Sequence, residues 1–133
     1  MLFDISHNGR TTLSVDRAGA IALGYPVDAI DAAEADLRLT RIKGECRRRI
    51  YGAASAETQM NMATAAAVVS AKTASNRSAE ESAMLAGLGQ AIDWVAAMRA
   101  RVVELAADAD LDFRADENWP DLPDGARDVV AMF

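Results

Sequence analysis

Hydrophobic positions between Ser78 and Asp108 recur at alternating spacings of four and three, through Met84, Leu88, Ala91, Val95, Met98, Val102 and Leu105. That period places them on one seam of a long helix, the side that a partner helix covers. Ser78 followed by Glu81 matches a capping box, in which hydroxyl and carboxylate each accept from a free backbone N–H, so the helix is predicted to start there. A second stretch carries the same period. It begins after Tyr25-Pro26, where proline disfavours helix in the residue before it, and Asp28 is the candidate N-cap. Ile30, Ala33, Leu37, Ile42, Cys46 and Ile50 form its apolar face, and Ala56, Met60, Ala63 and Ala67 extend it to about Ala74.

As one element this second stretch is a rod of roughly 65 Å, the length of a hairpin arm or coiled coil. Gly44 and Gly52 are its weak points, each costing about 1 kcal/mol relative to alanine, and a break is expected first near Gly52. Thr73 to Arg77 is the turn candidate between the two helical stretches, and a connection this short makes them antiparallel neighbours. Folding back near residue 75 then sets Ala63 and Ala67 near Leu85 and Leu88, and Ala53 near Val102.

Residues 2 to 24 lack the helical period. LFDIS and TTLSV flank His7-Asn8-Gly9-Arg10, and Asn-Gly tolerates the positive φ of a type I′ hairpin turn. A second turn at Asp16 to Gly19 leads into AIALG, so a meander of two or three short strands is predicted. Such a ribbon is marginal alone and needs a helix or a neighbouring chain to cover it. Beyond Asp108 the period fails again: eight acids and two arginines lie between Asp108 and Asp128, with Pro120 and Pro123 among them. Leu111, Phe113, Trp119 and Leu122 make this stretch too apolar for a solvated acidic tail, so it is predicted to strap over the hairpin and end in a helical turn or two from Asp124 to Met132. The expected fold class is therefore mainly α: a β docking segment at 1–26, a long antiparallel helical hairpin at 27–109, and an acidic C-terminal strap at 110–133.

Composition changes the picture in one respect. Hydrophobic residues make up 51% of the 133 residues, but 29 of them are alanine and only 5% of the chain is aromatic, so the core is thin and favours closely approaching helices or burial completed by another subunit. A formal net charge of −6 argues against a free-standing nucleic-acid binder. No apolar run is long enough for a membrane span and MLFDISHNGR lacks a charged-then-apolar arrangement, so no export signal is expected, and with the acidic charge neither nucleic acid nor membrane is an expected partner. Cys46 is the single cysteine, without a thiol partner for a disulfide or a zinc set, and reads as a small buried apolar residue.

Candidate chemistry is sparse. Arg38, Arg41, Lys43, Arg47, Arg48 and Arg49 could bind phosphates, but the hairpin puts residues near 43 opposite residues near 108, so Arg47, Arg48 and Arg49 are expected to pair with the acidic strap, which Phe113 and Trp119 would anchor. Asp108-x-Asp110-x-Asp112 resembles the opening of a calcium loop but has Phe113 where glycine is needed and Trp119 where a bidentate glutamate is needed. His7 has no nucleophile or carboxylate partner suggested by spacing and reads as a solvated turn residue. Trp94, Met60, Met62, Met84 and Met98 read as packing residues. No catalytic residue, metal ligand or cofactor is expected.

Several stretches, ECRRRIYGAAS, TQMNMATAAAVVSA, AIDWVAAMRARVVELA and DENWPDLP, resemble small helical proteins from the tail regions of tailed bacteriophages and prophages, especially those of alphaproteobacteria. The resemblance covers about two thirds of the chain and rests on packing motifs. It implies a non-enzymatic structural component of the virion, in the tail or tail-fibre region, made in the host cytoplasm. Its partners would be other tail or fibre proteins and further copies of itself, with a trimer favoured; the alternative it implies is a cytosolic chaperone of tail-fibre assembly.

Overall fold

The computed structural model describes all of residues 1–133. The protein is mainly helical, with an N-terminal two-stranded antiparallel hairpin followed by long helices. Two strands, β1 (Phe3–His7) and β2 (Arg10–Val15), precede α1 (Arg17–Ala22), α2 (Val27–Ala53), α3 (Ala56–Ser70), α4 (Ala79–Ala107) and α5 (Asp124–Val130). Single turns of 3-10 helix sit at Ala74–Asn76 and Asp116–Asn118. The chain divides into two compact units, Met1–Lys43 and Gly44–Phe133, with the boundary inside α2.

In the first unit the Asn-Gly turn forms as its chemistry dictates: Asn8 and Gly9 have φ of 51° and 77°, and His7 pairs with Arg10 at the end of the ladder. The register slips between Phe3 and Ile5, which pair with Val15 and Thr12. Ser14 absorbs the slip at φ 52°, and its N–H donates to Asp4 Oδ1 at 2.9 Å. Of the two or three strands expected, two form, and the AIALG stretch that a third would have used begins within α1. Asp16 caps it by accepting from the Gly19 N–H at 2.7 Å, which satisfies a free donor of the first turn and commits the segment to helix. Phe3, Ile5, Ala20, Tyr25 and Ile30 form the core of this unit, so the ribbon is covered by helix from its own chain. Arg17 ties α1 to α2 through Asp31 and Glu34 at 2.8 and 2.7 Å.

The expected continuous rod from residue 28 to 74 is two helices. The break falls at Ala54-Ser55, just past Gly52, and Ser55 recaps the chain by accepting from the Thr58 N–H at 3.1 Å. A hydroxyl able to start a new helix outweighs the continuity of the apolar spacing. The capping box at α4 is present in full, with Glu81 N–H donating to Ser78 Oγ at 3.0 Å and Ser78 N–H donating to Glu81 Oε1 at 3.1 Å. Lys72 holds the same carboxylate at 2.7 Å, which fixes the turn between α3 and α4 and lowers the Glu81 pKa from its ordinary value, this ion pair being the largest cause.

Of the predicted seam on α4, Met84, Met98, Val102 and Leu105 are buried, and Leu88 and Val95 are half-buried. Met62 and Val69 of α3 meet Met84 from one side, and Val129 of α5 joins the same cluster. α5 comes unusually close to α4. Gly87 and Gly125 mark the crossing, because a Cβ on Gly87 would lie 2.5 Å from the Gly125 carbonyl oxygen, and one on Gly125 would strike the Gln90 amide.

Candidate functional site

Two features of the second unit concentrate its chemistry. One is the latch that holds the strap. Arg49, near the end of α2, is largely covered and stacks over the Trp119 ring at 5.4 Å. Its guanidinium donates to Glu45 Oε1 at 2.8 Å and to the Arg114 carbonyl oxygen at 3.0 Å, and it meets Asp116 at 2.9 Å. Beneath it, Trp119 is buried and donates to the Phe113 carbonyl oxygen at 2.7 Å, while Trp94 of α4 donates to the Pro120 carbonyl oxygen at 3.0 Å. Arg101 adds a bond to the Asn118 carbonyl oxygen at 2.7 Å. Cationic and indole donors thus satisfy strap carbonyls that an irregular chain leaves without ladder partners.

The three arginines expected to pair with the strap do different things. Arg49 reaches it. Arg48 instead forms a two-point bond with Glu45 one turn back, at 2.8 and 2.6 Å, and that bond is the main reason the Glu45 carboxyl is held below its ordinary pKa. Arg47 lies 5.3 Å from the Tyr51 ring centre on its own helix. Helix geometry explains the split, since three consecutive residues point about 100° apart: Arg49 bonds the strap directly, Arg48 borders the same pocket beside Asp116 while bonding Glu45, and Arg47 turns to Tyr51. Phe113 is half-buried with Arg114 over its ring at 5.1 Å, and Trp119 is the deeper anchor. Nothing in the residue spacing marks Arg101, Trp94 and Asn118 for the latch. Their contacts there are made with or through backbone carbonyls, which leave no pattern among side chains.

The second feature is an open apolar groove of about 730 Å³ between α3 and α4. One wall is Gln59, Met62, Ala63, Ala66, Ala67 and Ser70 of α3. The other is Leu88, Ala91, Ile92, Val95, Ala96 and Arg99 of α4. Both walls follow the same i, i+3, i+4, i+7, i+8, i+11 course; Trp94, Leu122 and Val130 contribute to the lining, as do Ile50, Ala53 and Ala54 at the end of α2. Arg99 is the one charged residue in this lining and makes no side-chain hydrogen bond or salt bridge. Ile92 is 69% exposed on the α4 rim.

Elsewhere, two carboxylates of the Asp108-x-Asp110-x-Asp112 run serve local turns, Asp108 accepting from the Asp110 N–H at 3.0 Å and Asp112 from the Arg114 N–H at 2.9 Å. No group of three or more His, Cys, Asp or Glu side chains is placed to hold a metal ion, and no helix is long and apolar enough to cross a membrane. Cys46 is buried, and that burial pushes its thiol pKa up. No protein-family model matches the chain, and no curated protein compared with it does.

Proposed function

We propose that the protein is a non-enzymatic structural component of a phage particle, in the tail or tail-fibre region, docking through its β segment and oligomerising through its helical unit. The observation that carries the assembly role is the amount of large apolar surface left to solvent. Leu2, Leu13, Ile21 and Val27 of the first unit and Met60, Val68, Ile92 and Val103 of the second are all more than half exposed. Such surface on a small domain favours association with other protein. The two-stranded sheet adds a means of docking, because each strand is bonded on one side only and its outer edge can pair with a strand of a neighbour. The assignment to a phage tail rests on the resemblance of the helical and strap segments to tail-region proteins.

Quantitative mass spectrometry on purified particles tests the reading. A structural component remains in the particle at a fixed copy number, a multiple of three if the fibre-like symmetry holds. Absence from particles, with recovery on unassembled fibre protein, would overturn it in favour of an assembly chaperone.

A further inference from the structure

The α3–α4 groove has the form of a helix-binding site. Fourteen consecutive residues, Thr58 to Ala71, carry no charge, yet of these only Met62 and Val69 are buried. A helical stretch with no charged side and exposed Met60, Ala63, Ala67 and Val68 leaves apolar surface that further packing can cover. The missing cover lies along the groove, where alanines on both walls let a third backbone approach closely while Met62 and Val95 supply the apolar floor of each wall. From Gln59 to Ser70 the wall runs about 16 Å, three turns, so a helix of about twelve residues spans it.

We propose that this groove binds an amphipathic helix of a partner protein, with an apolar i, i+3, i+4, i+7 face and a carboxylate level with Arg99. Arg99 selects that occupant. It is the sole charge in the lining and has no acid of its own chain, so an incoming Asp or Glu completes it and an incoming Lys or Arg is repelled. Two grooves fit each other less well: α3 of a second copy would bring no acid between Thr58 and Ala71, and a parallel two-fold pairing of the grooves would set Arg99 against its own symmetry mate. Helix capture at this groove goes beyond the proposed place in a particle and does not depend on it.

The test uses the full chain and two fluorescently labelled, helix-stapled Ala/Leu peptides that differ only in a Glu or a Lys at the position matched to Arg99. Fluorescence anisotropy is expected to give tighter binding of the Glu peptide to the wild-type protein, by about tenfold, with the order inverted by Arg99→Glu. Ala63→Glu, an exposed position on the groove wall, is expected to abolish binding of both peptides while leaving the circular dichroism spectrum unchanged. Failure of both peptides to bind, or a preference that Arg99→Glu leaves unaltered, would overturn the proposal. So would a wild-type dimer by sedimentation that Ala63→Glu dissociates, since the occupant would then be a second copy. Dodecanoate binding that excludes the Glu peptide and depends on Arg99 would assign the groove to a lipid-like ligand and also overturn it.

Discussion

Gly87 and Gly89 lie two residues apart in α4, and replacing each with alanine is expected to move stability in opposite directions. Both sit in a helix interior, where alanine is favoured over glycine by about 1 kcal/mol. At Gly89 an added Cβ meets nothing within 4 Å, so Gly89→Ala should realise most of that gain. At Gly87 the same Cβ would lie 2.5 Å from the Gly125 carbonyl oxygen and 3.1 Å from Val129 Cβ. A backbone carbonyl in a helix cannot swing aside, so α5 must withdraw by roughly an ångström, at the ~1–3 kcal/mol typical of overpacking. Withdrawal also opens the site of Val129, which is 1% exposed, and full exposure of that side chain would cost about 1.5–3 kcal/mol.

Set against the propensity gain, Gly87→Ala should be destabilised by about 1–2 kcal/mol, leaving the two variants ~2–3 kcal/mol apart. Urea unfolding followed by far-UV circular dichroism measures this directly, and with a slope of ~1–3 kcal/mol per molar the midpoints should separate by about 1 M or more. Hydrogen exchange across 124–130 should rise in the Gly87 variant alone. Equal shifts of both midpoints in the stabilising direction would refute the close crossing of α4 and α5.

Ser78→Ala removes one half of the capping box and should cost about 1 kcal/mol in the same urea assay. Glu45 and Glu81 both have pKa values lowered in the folded protein, so their contribution is present above the ordinary carboxyl value of 4.5 and is lost as pH falls through the lower folded values; the urea midpoint should therefore fall on acidification below about pH 4.5, and less steeply for Glu81→Gln. Arg49→Ala should cost ~1–3 kcal/mol and raise acrylamide quenching of tryptophan, because it removes charge-assisted bonds and the cover over Trp119 together, whereas Arg47→Ala should leave quenching unchanged.

Elements with a chemical marker are readable from the chain. Asn8-Gly9 and Ser78 with Glu81 each specify a local backbone geometry, and each forms as its residue types require. Asp16 and Ser55 are the same kind of marker, but each lies within a longer pattern that points elsewhere, to a third strand in one case and a continuous rod in the other. At both places a side-chain oxygen accepts from a first-turn N–H, and that local bond decides the element. The latch is half legible. Trp119 and the basic run stand out, but which of Arg47, Arg48 and Arg49 reaches the strap depends on the rotation of α2 about its axis.

The groove is hidden for a related reason. The three-four spacing of Ala56, Met60, Ala63 and Ala67 marks a packing face, yet α3 buries Met62 and Val69, about 100° around the helix from Ala63. In a helix with charges on one side the solvent face would exclude one of these choices. Between Thr58 and Ala71 no charge exists to do so, and adjacent stripes are nearly equal in hydrophobicity. The larger side chains then decide: Met62 and Val69 can fill space against Met84 and Val129, and alanine methyls cannot. As a result, Ala63 and Ala67 of that spacing line the groove beside Met62, while Met60 lies outside it and exposed. Packing within the unit leaves these two alanines uncovered, and a helix seated beside Arg99 would cover them.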